Sequence, residues 1–271
     1  LSFPDGERVF LKRDKTKDRT EGLKYLVFPS RGQREFLIAS RLVARGLPVP
    51  KPLGWLERVR KGWVQESYSF SEAVGTGVSF NEEAAKSKEP RSIAEISAVV
   101  KKFQLAGLFH RDLHGGNFLW QGGSLFLTDL HGAKIVKSVS SRRRLWNLSH
   151  LFHSLRSMWG EEEQLQFLER YFEETLDRSR KREILYRKIR PVMDDLQVKQ
   201  WRSRTKRCWK ESTEFTVEKE REIRYFRRKD FPLERLKRVI REHQKLVGER
   251  SSSLVKYSPE VVVSILEDEG E

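Results

Sequence analysis

Apolar residues recur at three- and four-residue intervals between residues 30 and 45, and this period predicts a helix. Ser30 and Gln33 have the spacing of a capping box at its start. Glu35 falls on the same stripe as the apolar Ile38. A carboxylate on a core-facing stripe needs a cationic partner, because burying an unpaired charge is costly. The pattern therefore predicts that a basic side chain meets Glu35.

Alternating apolar and polar residues predict strands on both sides of this helix. Residues 3–13 are predicted to form a hairpin whose second strand carries Lys12, and residues 63–74 a longer strand. The Pro-rich stretch 46–54 is predicted to be an extended connector. A strand lysine is a natural partner for a helix carboxylate, so Lys12 is the candidate for pairing with Glu35.

Helical stripes dominate the rest of the chain. Four further helices are predicted to begin at Ser92, Ser141, Glu161 and Asp230. A short last helix is predicted over 261–266, and short strands within 203–216 and 222–228. Ser92 and Asp230 are the expected N-caps of their helices. Strands followed by helices predict an α+β fold.

The most specific pattern is the polar stretch 110–117, His-Arg-Asp-Leu-His-Gly-Gly-Asn, followed by Leu-Thr-Asp-Leu-His-Gly over 127–132. It places Asp112, Asn117 and Asp129 within twenty residues. Phosphoryl transfer from a nucleotide needs one carboxylate to orient or deprotonate the acceptor hydroxyl. It also needs an amide and a second carboxylate to hold Mg²⁺ against the phosphates. These three side chains supply that set.

This stretch resembles the catalytic loop and metal-binding turn of the protein-kinase-like superfamily. Phe-Leu-Lys-Arg over 10–13, Arg34-Glu35, Gly-Leu-Pro-Val-Pro over 46–50 and Ser71-Glu72 extend the likeness. Together these residues are similar to the lipopolysaccharide kinase family, the Kdo and heptose kinases. The resemblance covers roughly residues 7–155. It implies a bilobal protein-kinase-like fold with a small antiparallel N-lobe and a mostly helical C-lobe.

The resemblance also implies roles for single residues. Asp112 would be the catalytic base, and Asn117 and Asp129 would be Mg²⁺ ligands. Lys12 would bind the phosphates of ATP and would be held in place by Glu35. The metal-binding turn carries a histidine where protein kinases carry phenylalanine, which this family tolerates.

The nucleotide base has its own expected contact. The hinge after the long strand would hydrogen-bond the adenine through backbone groups near Ser71, Glu72 and Ala73. His110 would brace the catalytic loop through hydrogen bonds and take no part in the chemistry. ATP and Mg²⁺ are the implied cofactors. The implied acceptor is a sugar hydroxyl of the lipopolysaccharide inner core, at the cytoplasmic face of the inner membrane.

The chain divides into three predicted parts. Residues 1–74 form the N-lobe, without the first strand and Gly-rich phosphate loop, because the chain begins where the second strand would lie. Residues 75–200 form the C-lobe with the catalytic loop, and residues 201–271 form a basic C-terminal extension.

The extension contains a short similarity to the N-lobe. Residues 224–230 echo residues 8–14, with Arg228 at the place of Lys12. One hypothesis is a vestigial second N-lobe, and the other is coincidence, since seven residues are few. The first hypothesis predicts a three-stranded antiparallel unit over residues 204–230.

The positive net charge of the chain limits the kinds of molecule that it is expected to bind. The chain has 271 residues and a net charge of +15, and residues 178–250 hold 25 Lys and Arg against 12 Asp and Glu. Such a surface attracts anionic lipid headgroups or a phosphorylated glycolipid. No nucleic-acid-binding motif accompanies the charge, which disfavours that partner. The single cysteine, Cys208, favours a reducing compartment, and no apolar run is long enough to span a membrane. The resemblance implies a cytoplasmic location, peripheral on the inner membrane.

The alternatives differ in acceptor or in activity. The segment between Gly132 and the next helix is short, which favours a small-molecule or glycolipid acceptor over a protein. A different kinase-like phosphotransferase, acting on a small molecule or a protein, stays open. So does a pseudokinase scaffold at an anionic membrane. The missing phosphate loop favours the scaffold, whereas the presence of Asp112, Asn117 and Asp129 counts against it.

Overall fold

The computed structural model describes residues 8–74, 79–82, 90–172, 177–249, 253–257 and 262–264. They belong to two compact units, residues 1–197 and residues 198–271. Helices mixed with small antiparallel sheets confirm the predicted α+β class. The first arm of the hairpin predicted over residues 3–13 lies outside the described residues.

A three-stranded antiparallel sheet forms the N-lobe of the first unit. Its strands are β1 (Val9–Lys15), β2 (Pro52–Arg60) and β3 (Trp63–Glu72), in the order β1-β3-β2. Two helices, α1 (Arg19–Lys24) and α2 (Arg31–Val43), lie between β1 and β2 in sequence. Helix α2 contacts both β2 and β3, which places its apolar stripe against the sheet.

The start of α2 is fixed by its cap and by one glycine. The Ser30 hydroxyl accepts a hydrogen bond from the Gln33 amide at 3.3 Å, as the capping pattern predicts. A Cβ atom on Gly32 would lie 2.7 Å from the Tyr68 carbonyl oxygen of β3. Only glycine therefore allows this approach of helix to strand.

The C-lobe is mainly helical. Its helices are α3 (Pro90–Leu105), α4 (Ser141–Leu155) and α5 (Glu161–Tyr171). Two short antiparallel pairs lie between α3 and α4 in sequence. They join β4 (Leu108–His110) with β7 (Ala133–Ile135) and β5 (Phe118–Gln121) with β6 (Ser124–Leu127).

Side chains from strands and helices share the core of the C-lobe. The fully buried ones include Phe118, Leu127, Leu148, Phe152 and Phe167. Because the two strand pairs are anchored in this core, the loops that connect them are held on a rigid base. These loops contain residues 111–117 and 128–132, the two predicted site segments.

A long helix, α6 (Arg178–Cys208), begins in the first unit and ends in the second. The second unit also contains the hairpin of β8 (Phe215–Glu220) and β9 (Ile223–Arg228). Helix α7 (Leu233–Gly248) follows, and then β10 (Leu254–Tyr257) pairs with β11 (Val262–Ser264).

Two predicted elements of the second unit are wrong. The strand predicted within 203–216 is helical as far as Cys208, and β8 begins only at Phe215. The residues before Cys208 are mostly Lys, Arg and other good helix formers, so helix propensity prevails. A short helix is predicted over residues 261–266, but the structure has strand β11 there. The Val-Val-Val run accounts for this, because valine favours strands.

The hypothesis of a vestigial second N-lobe is also wrong. It requires a three-stranded unit over residues 204–230, whereas β8 and β9 form a two-stranded sheet within the described residues. The similarity of residues 224–230 to residues 8–14 is therefore coincidental.

Some helix starts and one strand also differ from expectation. Helix α3 begins at Pro90, a favoured first-turn residue, so Ser92 lies inside it. The Asp230 carboxylate accepts hydrogen bonds from the Arg228 guanidinium and does not cap α7. Strand β2 is missed because it is an edge strand that begins with a proline and has exposed apolar residues, which resembles a connector.

No helix in the described parts of the chain combines the length and the apolar character that crossing a bilayer requires.

Candidate active site

The predicted pair of Lys12 and Glu35 forms across the N-lobe. The Lys12 ammonium on β1 lies 3.1 Å from Glu35 Oε2 on α2. Lys12 stands opposite Ser69 in the register of β1 and β3. Gly32, three residues before Glu35, brings α2 close enough to the sheet for this contact.

A second carboxylate shares the same lysine. Asp129 follows β6 with a left-handed backbone, φ 56°, and its Oδ1 accepts a hydrogen bond from Lys12. His131 Nδ1 lies 2.5 Å from the same oxygen and 3.3 Å from the Lys12 nitrogen. The turn at Asp129 in the C-lobe and the lysine of the N-lobe therefore meet directly.

Lys12 interacts with the carboxylates of both Glu35 and Asp129, and this sharing affects the pKa of all three groups. Burial raises the pKa of Glu35, and the nearby Asp129 charge adds to that effect, while Lys12 opposes it. Asp129 is buried too, but hydrogen bonds from His131 and Lys12 hold its pKa well below the usual range. Burial lowers the pKa of Lys12, yet Glu35 and Asp129 outweigh it, so the net shift is upward. A charged lysine next to an ionised Asp129 is the result.

The catalytic loop places Asp112 and Asn117 beside one another. The Asn117 side-chain amide donates to the Asp112 carbonyl at 3.0 Å. The Thr128 amide and hydroxyl both donate to the Asn117 carbonyl, at 2.8 and 2.9 Å. Because Thr128 precedes Asp129, the loop and the metal-binding turn are connected by direct hydrogen bonds.

His110 joins the same two segments, as expected of a bracing residue. Its Nδ1 accepts from the Asp112 amide at 3.2 Å, and its Nε2 lies 2.9 Å from the Asp129 carbonyl oxygen. This pairing requires the proton on Nε2, which donates to the carbonyl. Burial lowers the pKa of His110, which favours the same neutral form.

Side chains of helix α4 form hydrogen bonds with the backbone of the catalytic loop. The Asn147 side-chain amide donates to the His110 carbonyl, and the Trp146 indole N–H donates to the Arg111 carbonyl at 2.9 Å. The Gly115 amide donates to the Ser154 hydroxyl at 3.0 Å. Three side chains of one helix thus fix the backbone of the loop.

A histidine that the motif did not reveal stands beside the predicted base. His150 Nδ1 on α4 lies 3.7 Å from Asp112 Oδ1, and the His150 ring packs on Trp146 with centroids 4.5 Å apart. His150 lowers the pKa of Asp112. The Asp112 side chain itself is 75% exposed, so an acceptor can reach it. No local signal in the sequence marks His150, because its approach to Asp112 depends on how α4 packs against the loop.

A cavity of about 360 Å³ opens between the lobes. Lys12, Glu35 and Asp129 line it, as do Glu72 and Ala73. Its surface is mostly apolar and includes Phe10, Phe36, Ala39, Leu119 and Leu130. This is the character of a site for a planar ligand with a few polar contacts. Asp112 and Asn117 lie outside the lining.

The hinge residues line the cavity, but two of their backbone donors are already engaged. The Glu72 amide donates to the Lys51 carbonyl and the Ala73 amide to the Arg8 carbonyl, both at 2.9 Å. The Glu72 carboxylate pairs with Lys51 at 3.0 Å. Glu72 and Ala73 can therefore offer a bound base their carbonyl oxygens, not these amides.

Two sets of side chains could hold a divalent cation. Asp129 offers a carboxylate, and Asn117 offers its side-chain oxygen, since its nitrogen is used on Asp112. Oxygen donors of this kind suit Mg²⁺. Glu35, Asp129 and His131 also have ligand atoms within 4.8 Å of one another, but the Lys12 ammonium already contacts all three. The ammonium charge disfavours a cation at that second set, and the resemblance implies Asn117 and Asp129 as the ligands.

Two comparisons with known protein sequences both match kinases of lipopolysaccharide sugars. The model of the lipopolysaccharide kinase (Kdo/WaaP) family matches residues 14–171. A 3-deoxy-D-manno-octulosonic acid kinase of Xylella fastidiosa (strain 9a5c) is 33% identical over 135 residues, 49% of this chain and 53% of that protein. The matched part thus spans about half the length of this curated relative.

A solved structure supports the fold. The structure of WaaP in complex with acyl carrier protein has a TM-score of 0.54 at 20% sequence identity. The match covers 71% of this chain and 81% of that one. At this identity the likeness speaks for the architecture alone.

Proposed function

Because the chain belongs to the lipopolysaccharide kinase (Kdo/WaaP) family, we propose that it is an ATP- and Mg²⁺-dependent phosphotransferase. Its acceptor is a sugar hydroxyl of a lipopolysaccharide core or a related glycolipid. The observation that carries the proposal is the meeting of Lys12, Glu35 and Asp129 at one cavity, next to the loop of Asp112.

The cavity accounts for nucleotide binding. Phe10 and Leu119 supply apolar surface for the adenine, and the carbonyl groups of Glu72 and Ala73 are candidates for its amino group. Lys12 is charged and lies at the polar end with Asp129, where the phosphates belong. Glu35 keeps the lysine in place when phosphate oxygens take over its contact with Asp129.

The donor set next to the phosphates fits a magnesium ion. Asn117 and Asp129 would hold it, and the strongly lowered pKa of Asp129 keeps its carboxylate ionised for that purpose. When bound, Mg²⁺ neutralises charge on the phosphoryl oxygens during transfer.

Asp112 is the proposed base. Its pKa is lowered by His150, so it is ionised at neutral pH and can accept a proton. The acceptor oxygen bonds to the γ-phosphorus while the bond from that phosphorus to the β–γ bridging oxygen breaks. The hydroxyl proton passes to the Asp112 carboxylate, and ADP leaves. The exposure of Asp112 suits an acceptor too large to enter a closed pocket.

We also propose a cytoplasmic location at the inner membrane, where such an acceptor is held. The local charge of +13 over residues 178–250 supports attraction to anionic lipid. Electrostatic attraction of this kind weakens steeply as salt rises, because the Debye length shortens. Binding to anionic vesicles that is insensitive to salt would contradict this role of the charge.

The acceptor class is tested by incubation with γ-labelled ATP, Mg²⁺ and a crude bacterial glycolipid fraction. We expect label in the lipid fraction with the wild-type chain and none with Asp112→Ala. Label that appears only in protein would favour a protein kinase. Background label with both chains, on material verified to be folded, would favour the scaffold.

A further inference from the structure

An exposed apolar tip precedes helix α2. It consists of residues 23–28, which start at the last two residues of α1 and end two residues before Ser30. Its large apolar side chains are mostly in solvent: Leu23 is 57% exposed, Leu26 57%, Val27 78% and Phe28 55%. Single exposed apolar residues are ordinary, but four within six residues form a patch that needs an explanation.

The backbone amides of residues 25–28 are all paired within the tip and α1. The Tyr25 amide bonds to the Glu21 and Gly22 carbonyls, and the Leu26 amide bonds to the Leu23 carbonyl. The Val27 and Phe28 amides both bond to the Lys24 carbonyl. A hydrocarbon environment offers no water to unpaired amides, so only a segment of this kind can enter it at low cost. An unpaired strand edge would instead suggest pairing with another protein.

The charge around the tip is positive. Residues 15–34 contain six Lys and Arg and two Asp and Glu. Both acids are engaged within the segment, Asp18 as the cap of α1 and Glu21 with Arg31 at 2.6 Å. Lys24 within the tip and Lys17 and Arg19 before it are exposed, and none of them forms an ion pair with a described residue. Apolar residues framed by free cations are complementary to an anionic membrane surface.

We propose that residues 23–28 insert into the interface of an anionic bilayer and dock the N-lobe on the membrane. The apolar side chains enter the headgroup region, and Lys17, Arg19 and Lys24 contact the lipid phosphates. The inference rests on the proposed function in that a membrane-held acceptor gives docking its purpose. Docking itself requires neither nucleotide nor acceptor.

Insertion is tested directly with an environment-sensitive dye on the tip. The variant Val27→Cys in a Cys208→Ser background offers a single thiol for a nitrobenzoxadiazole label. With vesicles of phosphatidylethanolamine and phosphatidylglycerol, we expect brighter, blue-shifted emission. A label at Leu105 on α3, which is 69% exposed against 78% for Val27, is the control and should not respond. An unchanged spectrum at residue 27 overturns the proposal.

The contribution of the tip to binding is measured by vesicle co-sedimentation. The variant Leu26→Ser/Val27→Ser/Phe28→Ser should bind about tenfold more weakly than the wild type, since binding scales with buried apolar area. Leu105→Ser should bind as the wild type does. Undiminished binding by the triple variant contradicts docking by the tip. So does a wild-type dimer that this variant converts to a monomer, because the tip would then be a self-association surface.

An activity comparison separates this proposal from the function on which it rests. With a lipid-held acceptor on vesicles, the triple variant should transfer phosphate more slowly than the wild type. With the same sugar freed of its acyl chains, the two should be equal. A wild-type chain inactive on both acceptors would fail the proposed function, and the dye result would still decide whether the tip docks.

Discussion

Lys12 on β1 lies 3.1 Å from Glu35 on α2, and the two residues are 23 positions apart in the chain. Lys12 lies on a strand and Glu35 on a helix, so their contact forms only when these two elements pack against one another. It also connects the N-lobe to the C-lobe, because the same ammonium contacts Asp129. The lysine therefore joins α2 of the N-lobe to the turn that follows β6 in the C-lobe.

Loss of the lysine should impair phosphoryl transfer more than it harms the fold. We expect Lys12→Met to lower kcat/KM by about 10²–10³, the usual loss when one preorganised electrostatic contact is removed. Glu35→Gln should cost less, because the lysine keeps its charge. A double-mutant cycle on kcat/KM should give a coupling of about 0.5–3 kcal/mol between the two sites. Purely additive losses would contradict a functional pair.

The close approach at Gly32 gives a structural test of the same pair. Gly32→Ala should push α2 away from β3 and destabilise the protein by about 1–3 kcal/mol, as overpacking does. It should also weaken ATP binding, because Glu35 moves with the helix. Gly54→Ala, where nothing lies within 4 Å of the added carbon, is the matched control. Equal stability of both variants in denaturant titration would contradict the packing described.

His150 should act by positioning Asp112. His150→Phe retains a ring to pack on Trp146 but removes the nitrogen that faces the carboxylate. We expect kcat to fall by about tenfold with an unchanged KM for ATP, a small part of what a general base contributes. His150→Asn, which restores a polar group, should recover part of the loss. His153→Phe, on the same helix, is the control, and an equal effect there would indicate general damage to α4.

His110 is held uncharged in the folded protein, and this predicts that the free energy of unfolding depends on pH. Burial lowers its pKa in the folded protein from the ordinary 6.5. The unfolded chain therefore binds this proton more readily, so stability is fully present above pH 6.5. It falls as pH decreases from there toward the folded-state pKa, by at most about 1.4 kcal/mol per pH unit for one proton.

A comparison with His110→Gln isolates this contribution, because other groups titrate in both proteins. The difference in unfolding free energy between wild type and variant should shrink as pH falls below 6.5. A difference that stays constant from pH 8 to pH 5 would show that His110 is not held neutral. Urea titrations at each pH supply the measurement.

Local sequence signals predicted the elements around the site well. The Ser30 cap, the pairing of Lys12 with Glu35 and the bracing role of His110 are all confirmed, because each rests on a strong local or charge requirement. The second unit was predicted less well. Its segments are rich in Lys and Arg, so the spacing of apolar residues gives little information there. One helical segment was therefore predicted as a strand, and one strand as a helix.

The features that the sequence did not reveal depend on long-range packing. His150 reaches Asp112 only because α4 lies beneath the loop, 38 positions away in the chain. Glu72 and Ala73 line the cavity, but the engagement of their amides depends on strand register at Lys51 and Arg8. Neither relationship has a short-range signature.

The proposed role of Asp112 is that of the base in a working phosphotransfer site. It is tested most directly by single-turnover transfer from γ-labelled ATP to a purified glycolipid acceptor, with wild type and Asp112→Asn. ATP affinity is measured on the same samples. We expect Asn to slow transfer by about 10²–10⁴ while ATP affinity stays within about twofold. Equal transfer rates, or a loss that merely follows a loss of ATP binding, would contradict the assignment.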